Sequence, residues 1–444
     1  MILKSFSLLV CLFSILASFG QRELSAKEAV YLALENNYQI QIAEKQSEIS
    51  EKNNRWSQAG LFPTVTLSVA QNNTIQDNTK NPFTFTPGII LSNSINPSLA
   101  ANWNIFSGFS VLITKEQLEQ LEAQSANNAL SVIEETIQDV LKAYYAAQLQ
   151  KERLTLFGSI LDLSRERYAY YALKEKYSTA NSLELFQFRN QLLTDSTNYL
   201  LQEISYQNAL RNLHLLMNEE LGENETVDYL LTDALDLPLQ LMDFSQAEAE
   251  MLSNNNNLKN QYIALELQKT ATSLQRSFLY PTLSFQAGVQ PGWSWLRDLN
   301  SSNLNINTQT LSYYGNFNLR YNLFNNWKAK RAVEVGQIQE EIASLGIDQM
   351  KQSLSSTLQN LIAMYDARSK LVEISSENKV YAQKAFDLAK KRFDLGTINS
   401  IDLASFQNNY QNTMVQHYEN LFNRMDTYLE IYKMTGKLGL EYEK

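Results

Sequence analysis

The chain is 444 residues long with a formal net charge of −10 and a single cysteine, Cys11. The acidic balance argues against nucleic acid as a partner, and one cysteine excludes a disulfide framework or a thiolate metal site. Charged residues make up only 19% of the chain, below the usual ~25%, and Asn, Gln, Ser and Tyr fill the polar positions instead.

Met1-Ile2-Leu3-Lys4 supplies one positive charge, and Ser5 to Phe19 is an apolar run too short for a comfortable membrane span. Ser18 and Gly20 are small residues at the −3 and −1 positions of a cut before Gln21. Residues 1–20 are therefore expected to be a cleaved secretory signal; an N-terminal anchor helix is the alternative. Cys11 follows Val10, where lipoprotein processing wants a small residue, so lipidation is not expected. No later stretch approaches the roughly 20 apolar residues of a transmembrane helix. A secreted chain can still enter a membrane as β-strands of about 10 residues with alternating polarity.

From residue 21 onward the chain is one unit written twice at an offset of 218. Leu61-Phe62-Pro63-Thr64 returns as Leu279-Tyr280-Pro281-Thr282, and Asn36-Asn37 as Asn254-Asn255. Trp103-Asn104-Ile105-Phe106 returns as Tyr321-Asn322-Leu323-Phe324. Thr179, Asn181, Ser182 and Asn190 return as Thr397, Asn399, Ser400 and Asn408. Each half should build the same structure.

In chain order, each half reads helix, strand, long loop, strand, long helix, turn, long helix. Val65, Leu67 and Val69 alternate with Thr64, Thr66, Ser68 and Ala70, which predicts a strand over about 62–75. Residues 72–97 are rich in Asn, Thr, Ser and Pro and read as a loop. Leu99, Ala101, Trp103 and Ile105 then alternate with Asn102 and Asn104, a strand over about 98–107. No proline falls between residues 98 and 237, so helices are free to run. Ile133, Ile137, Val140, Leu141, Tyr144 and Tyr145 recur at steps of three and four. Residues 110–176 are expected to be one helix of roughly 100 Å, with Gly158 as the one candidate point of interruption. A turn at about 177–183 leads to a second long helix. Residues 219–238 read as a connecting segment.

The second repeat spans 239–436, with strands over about 281–290 and 313–324, a loop over 290–312 and a helical tip over about 395–401. Residues 437–444 are a tail. Such helix lengths belong to a coiled coil or helical tube rather than a compact core.

The strands have one apolar and one polar face. The polar face, carrying Asn102, Asn104, Asn316, Asn318, Arg320 and Asn322, suits a wet lumen. Aromatics gather at the strand ends: Phe62, Phe106, Tyr280 and Phe324, and toward the other end Trp293, Trp295, Tyr313 and Tyr314. That is the layout of interfacial girdles. A sheet on a soluble core is the alternative. Four strands cannot close a membrane barrel, whose usual minimum is about eight, so several chains must share one.

Here the chain resembles a known family, the TolC-like outer membrane efflux proteins, trimeric channel-tunnels of Gram-negative bacteria. The residues that carry the resemblance are Leu24-Ser25 through Ala29, Ala33-Leu34, Asn36-Asn37, Phe62-Pro63, Tyr280-Pro281, Asn104-Ile105-Phe106-Ser107-Gly108 and Asn322-Leu323-Phe324. The clearest stretch is Lys391-Arg392-Phe393-Asp394-Leu395-Gly396-Thr397 followed by Ser400-Ile401-Asp402-Leu403. The resemblance covers essentially the whole mature chain. It implies a homotrimer, a shared twelve-stranded β-barrel in outer membrane lipid, with four strands per chain, and a helical periplasmic barrel. The fold class is then an α+β membrane protein. It also implies a periplasmic adaptor and an inner-membrane pump as partners, and a conduit for small molecules or polypeptides.

The residues and the resemblance meet at the two tips. Gly396 sits where a helix ends, behind Lys390, Lys391 and Arg392, whose charges suit the helix dipole. Asn399 is placed to cap the next helix with Asp402 three residues on, and the first half has Asn181 and Glu184 there. The resemblance implies that Asp402 and Glu184 belong to an acidic periplasmic gate; pure capping is the alternative. It also implies that Leu395, Gly396, Thr397, Tyr177, Ser178 and Thr179 receive the adaptor. Three departures are visible. Ile398 stands where a basic gate residue is found in the family, Ser405 replaces a second acid, and Ser178 replaces the glycine matched by Gly396.

No catalytic constellation, cofactor motif or metal site is expected. His214 and His417 are the only histidines, and both are expected to serve packing or the surface. The rival function is a secreted, non-conducting coiled-coil scaffold or adhesin, which salt rather than detergent would release from membranes.

Overall fold

A computed structural model describes residues 22–177, 182–219, 229–236, 242–300 and 304–438. The expected signal and most of the expected tail lie outside these residues. In chain order the elements are β1 (Arg22–Leu24), α1 (Ala26–Asn36), α2 (Tyr38–Asn53), β2 (Thr64–Asp77), β3 (Ile89–Ser107), α3 (Ser110–Lys176), α4 (Ser182–Met217), β4 (Tyr229–Leu231), α5 (Phe244–Asn254), α6 (Asn256–Ser277), β5 (Thr282–Asp298), β6 (Asn305–Arg320), α7 (Lys328–Asp394) and α8 (Ser400–Met434). The chain divides into two units. One holds Met1–Lys45, Asn127–Lys259 and Asp348–Lys444, the other Gln46–Ala126 and Asn260–Ile347.

The repeat extends to individual hydrogen bonds. Ser25 caps α1 by accepting from the Glu28 N–H, and Asp243 caps α5 by accepting from the Gln246 N–H. Asn37 donates its side-chain amide to the Leu216 carbonyl at 2.9 Å, and Asn255 donates to the Met434 carbonyl at 3.0 Å. All four pairs of positions are related by the 218 offset. The amide satisfies one of the carbonyls that every helix C-terminus leaves without a donor. This explains the repeated Asn-Asn in the sequence: it ties the short first helix of each repeat to the end of its long hairpin.

In the first unit the core lies along the long helices. Ile137, Val140, Leu141 and Tyr144 of α3 pack with Leu210, Leu213 and Met217 of α4, Val30 and Ala33 of α1, and Met425 and Leu429 of α8. A second cluster joins Leu358, Ile362 and Tyr365 of α7 to Met251 of α5 and Ile431 of α8. Helix α3 is unbroken over its 67 residues, with no interruption at Gly158. A Cβ at that glycine would lie 3.4 Å from the ring of Tyr199. That is ordinary contact distance, so neither a kink nor close packing requires glycine here.

The segment read as a connector, 219–238, contains β4, which pairs in parallel with β1. Three-residue strands are too short to show a period. Tyr144 fixes this small sheet. It is fully buried, donates its hydroxyl to the Leu24 carbonyl at 2.9 Å, and accepts from the Thr232 and Asp233 N–H groups at 3.1 Å each.

The second unit contains an antiparallel sheet of four strands in the order β2-β3-β5-β6. The strands run well past the expected limits: the expected loop 72–97 shrinks to 78–88, and in place of the expected loop 290–312 β5 runs to Asp298 and β6 begins at Asn305. Proline hid the continuation. The register pairing Ile95 with Trp293 and Leu99 with Val289 puts Pro97 opposite Pro291, and the pairs around them are missing from the ladder. Proline has no N–H to donate, and placing the two face to face confines the loss to one gap. Both prolines keep their register with the outer strands, opposite Val69 and Leu311.

Alternation survives across the gap, so the sheet keeps two faces. One is apolar and largely bare: Val65, Leu67, Val69, Phe317 and Leu319 are all exposed. No helix among the described residues is long and apolar enough to cross a membrane. Strand-to-helix turns repeat as well. Gly108-Phe109 and Asn326-Trp327 all have positive φ, and a Cβ at Gly108 would meet the Ser277 carbonyl oxygen at 2.2 Å. The first copy of this turn therefore requires glycine.

Candidate functional site

Two places gather the residues singled out by the sequence: the polar face of the sheet and the tips of the two helical hairpins, α3–α4 and α7–α8. On the sheet, the strand register aligns Thr64, Asn102, Gln286 and Asn316 in one row across all four strands. Asn104, Ser284 and Asn318 form the next row, and Thr282 and Arg320 the one after. A bulge at residues 104–106 follows. Asn322 lies two residues beyond the end of β6 and is off the ladder. Ser68 and Ser98 bond through their hydroxyls at 2.7 Å on the same face.

At the second tip, α7 ends in a glycine cap. The Gly396 N–H donates to the Phe393 carbonyl and the Thr397 N–H to the Arg392 carbonyl, each at 2.9 Å, with Gly396 at φ +70°. This is the Schellman arrangement, which suits glycine at the left-handed position. Asn399 then caps α8, its carbonyl oxygen accepting from the Ile401 and Asp402 N–H groups at 2.9 and 2.8 Å. Asp402 is exposed in the first turn of α8, and Leu395 is exposed at the turn itself.

At the first tip, Tyr177 is exposed, while Ser178, Thr179 and Asn181 lie outside the described residues. Glu184 occupies the first turn of α4. Burial, with the charge of Glu184 adding to it, pushes up the Tyr171 hydroxyl, and the charged form of Lys174 is favoured first by its hydrogen bond with Tyr170 and least by Glu184. Lys174 lies 4.6 Å from the Tyr170 ring and 5.3 Å from the Tyr171 ring. The structure places Asp402 and Glu184 at matched turns and pairs neither with the other.

The hairpins are joined behind the tips by packing. Tyr171 of α3 and Phe188 of α4 stand 4.5 Å apart, and both approach Phe393 of α7, at 5.9 and 5.8 Å. Ile398 packs onto Phe386, Ala389 and Leu403. The position that departs from the family's basic residue therefore serves the apolar core of the tip. The histidines pack, as expected: His417 is buried against the Ser375 hydroxyl at 3.0 Å, and His214 meets the Tyr229 hydroxyl at 3.0 Å.

A polar cluster that the sequence reading missed lies about two to four turns behind the tips. Asp195 of α4 is 3% exposed and Gln407 of α8 fully buried. Asp195 accepts from the Ser164 hydroxyl at 2.5 Å, from the Gln191 amide at 2.9 Å and from the Gln407 amide at 3.4 Å. The Gln407 carbonyl oxygen accepts from Arg167 Nη1 at 2.7 Å. Burial pushes the Asp195 carboxyl up and the Arg167 guanidinium down from their ordinary values. The signal was present in α4, where Phe188, Asp195 and Gln202 recur every seven residues on its buried stripe. A carboxylate at an apolar heptad position needs a partner.

Solved structures share this fold. CmeC, an outer membrane channel of Campylobacter jejuni, is 15% identical over 93% of this chain and 85% of its own, with a TM-score of 0.74. The MtrE outer membrane channel of Neisseria gonorrhoeae, in its open state, is 18% identical over 93% and 89%, with a TM-score of 0.67. The outer membrane protein VceC of Vibrio cholerae is 11% identical over 93% and 96%, also with a TM-score of 0.67. No curated protein sequence matches the chain. The model of one family, outer membrane efflux protein, matches residues 29–219 and again residues 249–437, once for each repeat. The chain thus belongs to the outer membrane efflux protein family, whose members are transport channels rather than enzymes.

Proposed function

We propose that three copies of the chain close one twelve-stranded barrel in the outer membrane, and that their hairpins continue as a periplasmic tube to a constriction at the tips. The observation that carries this reading is the open sheet. Its outer strands β2 and β6, of 14 and 16 residues, have no further partner among the described residues. Long bare edges are an aggregation hazard, and pairing β6 of one copy with β2 of the next removes them. The polar rows with Asn102, Asn104, Asn316, Asn318 and Arg320 then line the lumen, with Asn322 at its inner mouth. The bare apolar face meets lipid.

In this reading the protein is the outer membrane member of a pump–adaptor–channel assembly, passing small molecules or polypeptides to the exterior. The exposed Leu395 and Tyr177, with Gly396, Thr397, Ser178 and Thr179, form the surface that the adaptor's helical tips engage. Asp402 and Glu184 each become a ring of three carboxylates, which concentrates cations and repels anions inside low-dielectric walls.

Asp402→Asn combined with Glu184→Gln removes the charge and keeps amide oxygens that can still accept at a helix start. Planar-bilayer recordings of the double variant are expected to show reduced cation selectivity and altered conductance, with thermal stability unmoved. Unchanged conductance and selectivity would take both residues out of the constriction and leave them as helix caps.

A further inference from the structure

Gln407 stands between two charges that belong to the other hairpin. Arg167 lies on α3 and Asp195 on α4, and the amide of Gln407 from α8 touches both. Arg167 and Asp195 feel each other's charge, yet no direct ion pair joins them: an uncharged side chain from the second hairpin bridges the gap. We propose that Gln407 is an exchangeable spacer, and that withdrawal of α8 lets Arg167 and Asp195 pair directly within the first hairpin, so that the tip is satisfied both closed and open. This rests on the reading of the tips as a constriction that opens.

Three observations support the exchange. Burying a charge and then stripping its partner is strongly destabilising, so a tip that moved without a replacement partner would resist opening. Here the replacement is already in place. Second, Arg167 Nη2 is buried without a hydrogen-bond partner, and a cavity of about 200 Å³ bounded by Arg167, Gln187, Asn190, Gln191 and Gln407 adjoins it. The guanidinium has both a free donor and room to turn. Third, the device occurs once. At the 218 offset, the positions of Ser164, Arg167, Asp195 and Gln407 are held by Ala382, Ala385, Thr413 and Arg189. At these positions only the first hairpin holds a charge pair, so the exchange is available to it alone. Asp394 at the end of α7 and Glu166 on α3 also favour the charged form of Arg167; Glu166 stays with the first hairpin, whereas the influence of Asp394 leaves with the second. Ser400 of α8 adds a second link to the first hairpin, donating to the Gln187 carbonyl oxygen at 2.6 Å.

The test is single-channel recording of the assembled protein in planar bilayers. Gln407→Leu removes both bonds to α8 and leaves Arg167 and Asp195 free to pair, so it should raise the open fraction roughly tenfold, the scale of losing one or two hydrogen bonds to charged groups. Adding Arg167→Met and Asp195→Leu removes the alternative pair, and the open fraction should fall back toward wild type. A purely structural role predicts that the triple variant is at least as disturbed as the single one. Gln407→Met repeats the measurement if the leucine variant does not assemble. An unchanged open fraction in Gln407→Leu overturns the exchange. If Asp402→Asn with Glu184→Gln alters selectivity in the same recordings, that failure leaves the channel standing. If no preparation conducts, the channel reading fails and takes the exchange with it.

Discussion

Lysine at Leu99 is expected to destabilise the barrel by about 2–4 kcal/mol, the cost of a charge on the lipid face near mid-membrane. Leu99 sits near the middle of β3 between Leu67 and Val289, so no edge lets the side chain escape to water. Lysine at Asn102, three residues along and on the polar face, is expected to cost about 0.5 kcal/mol, as at an ordinary wet surface. Urea unfolding of both variants in lipid vesicles measures the contrast. Equal costs would mean that the two faces are not lipid and lumen, whatever the edges pair with.

Tyr144→Phe is expected to cost about 2–3 kcal/mol, because the ring stays and the only loss is a buried hydroxyl making three hydrogen bonds. The burden falls on the Asp233 N–H. Thr232 keeps a second acceptor in the Leu24 carbonyl at 3.2 Å, but no other acceptor is recorded for Asp233. Burial pushes the Tyr144 hydroxyl up from 10 to about 12. The sign follows from linkage: the folded state favours the neutral phenol, so its stabilisation is complete below pH 10 and is lost as the pH rises toward 12. Wild type should therefore lose stability over that window more steeply than Tyr144→Phe. Thermal melts of the two proteins between pH 8 and 12 separate this from a simple packing defect, which would leave the slopes equal.

Local periodicity carried most of the fold into the sequence. Alternation at Val65-Leu67-Val69 and Leu99-Ala101-Trp103 marked the strands, and three-and-four spacing marked α3. The 218 offset between Asn36-Asn37 and Asn254-Asn255 corresponds to a pair of matching helix-end hydrogen bonds. Proline was over-read. Pro97 and Pro291 looked like strand breakers, yet each is tolerated because the other faces it, and that is a pairing no single stretch of sequence displays. The strand pair β1–β4 was likewise invisible, since three residues cannot show a period. At the tips, the cap of Gly396 and Asn399 was legible because its residues are neighbours in the chain. The Arg167–Gln407–Asp195 bridge was not. Its members are separated by up to 240 positions, and only the packing of one hairpin on the other brings them together.

The central claim is that the four-stranded sheet is one third of a closed channel. The most direct measurement is the mass of the detergent-solubilised protein by light scattering, with ion conductance measured on the same fraction. The account predicts three chains plus micelle in the conducting fraction and no conductance from any monomer. A folded monomer that conducts ions by itself would contradict it.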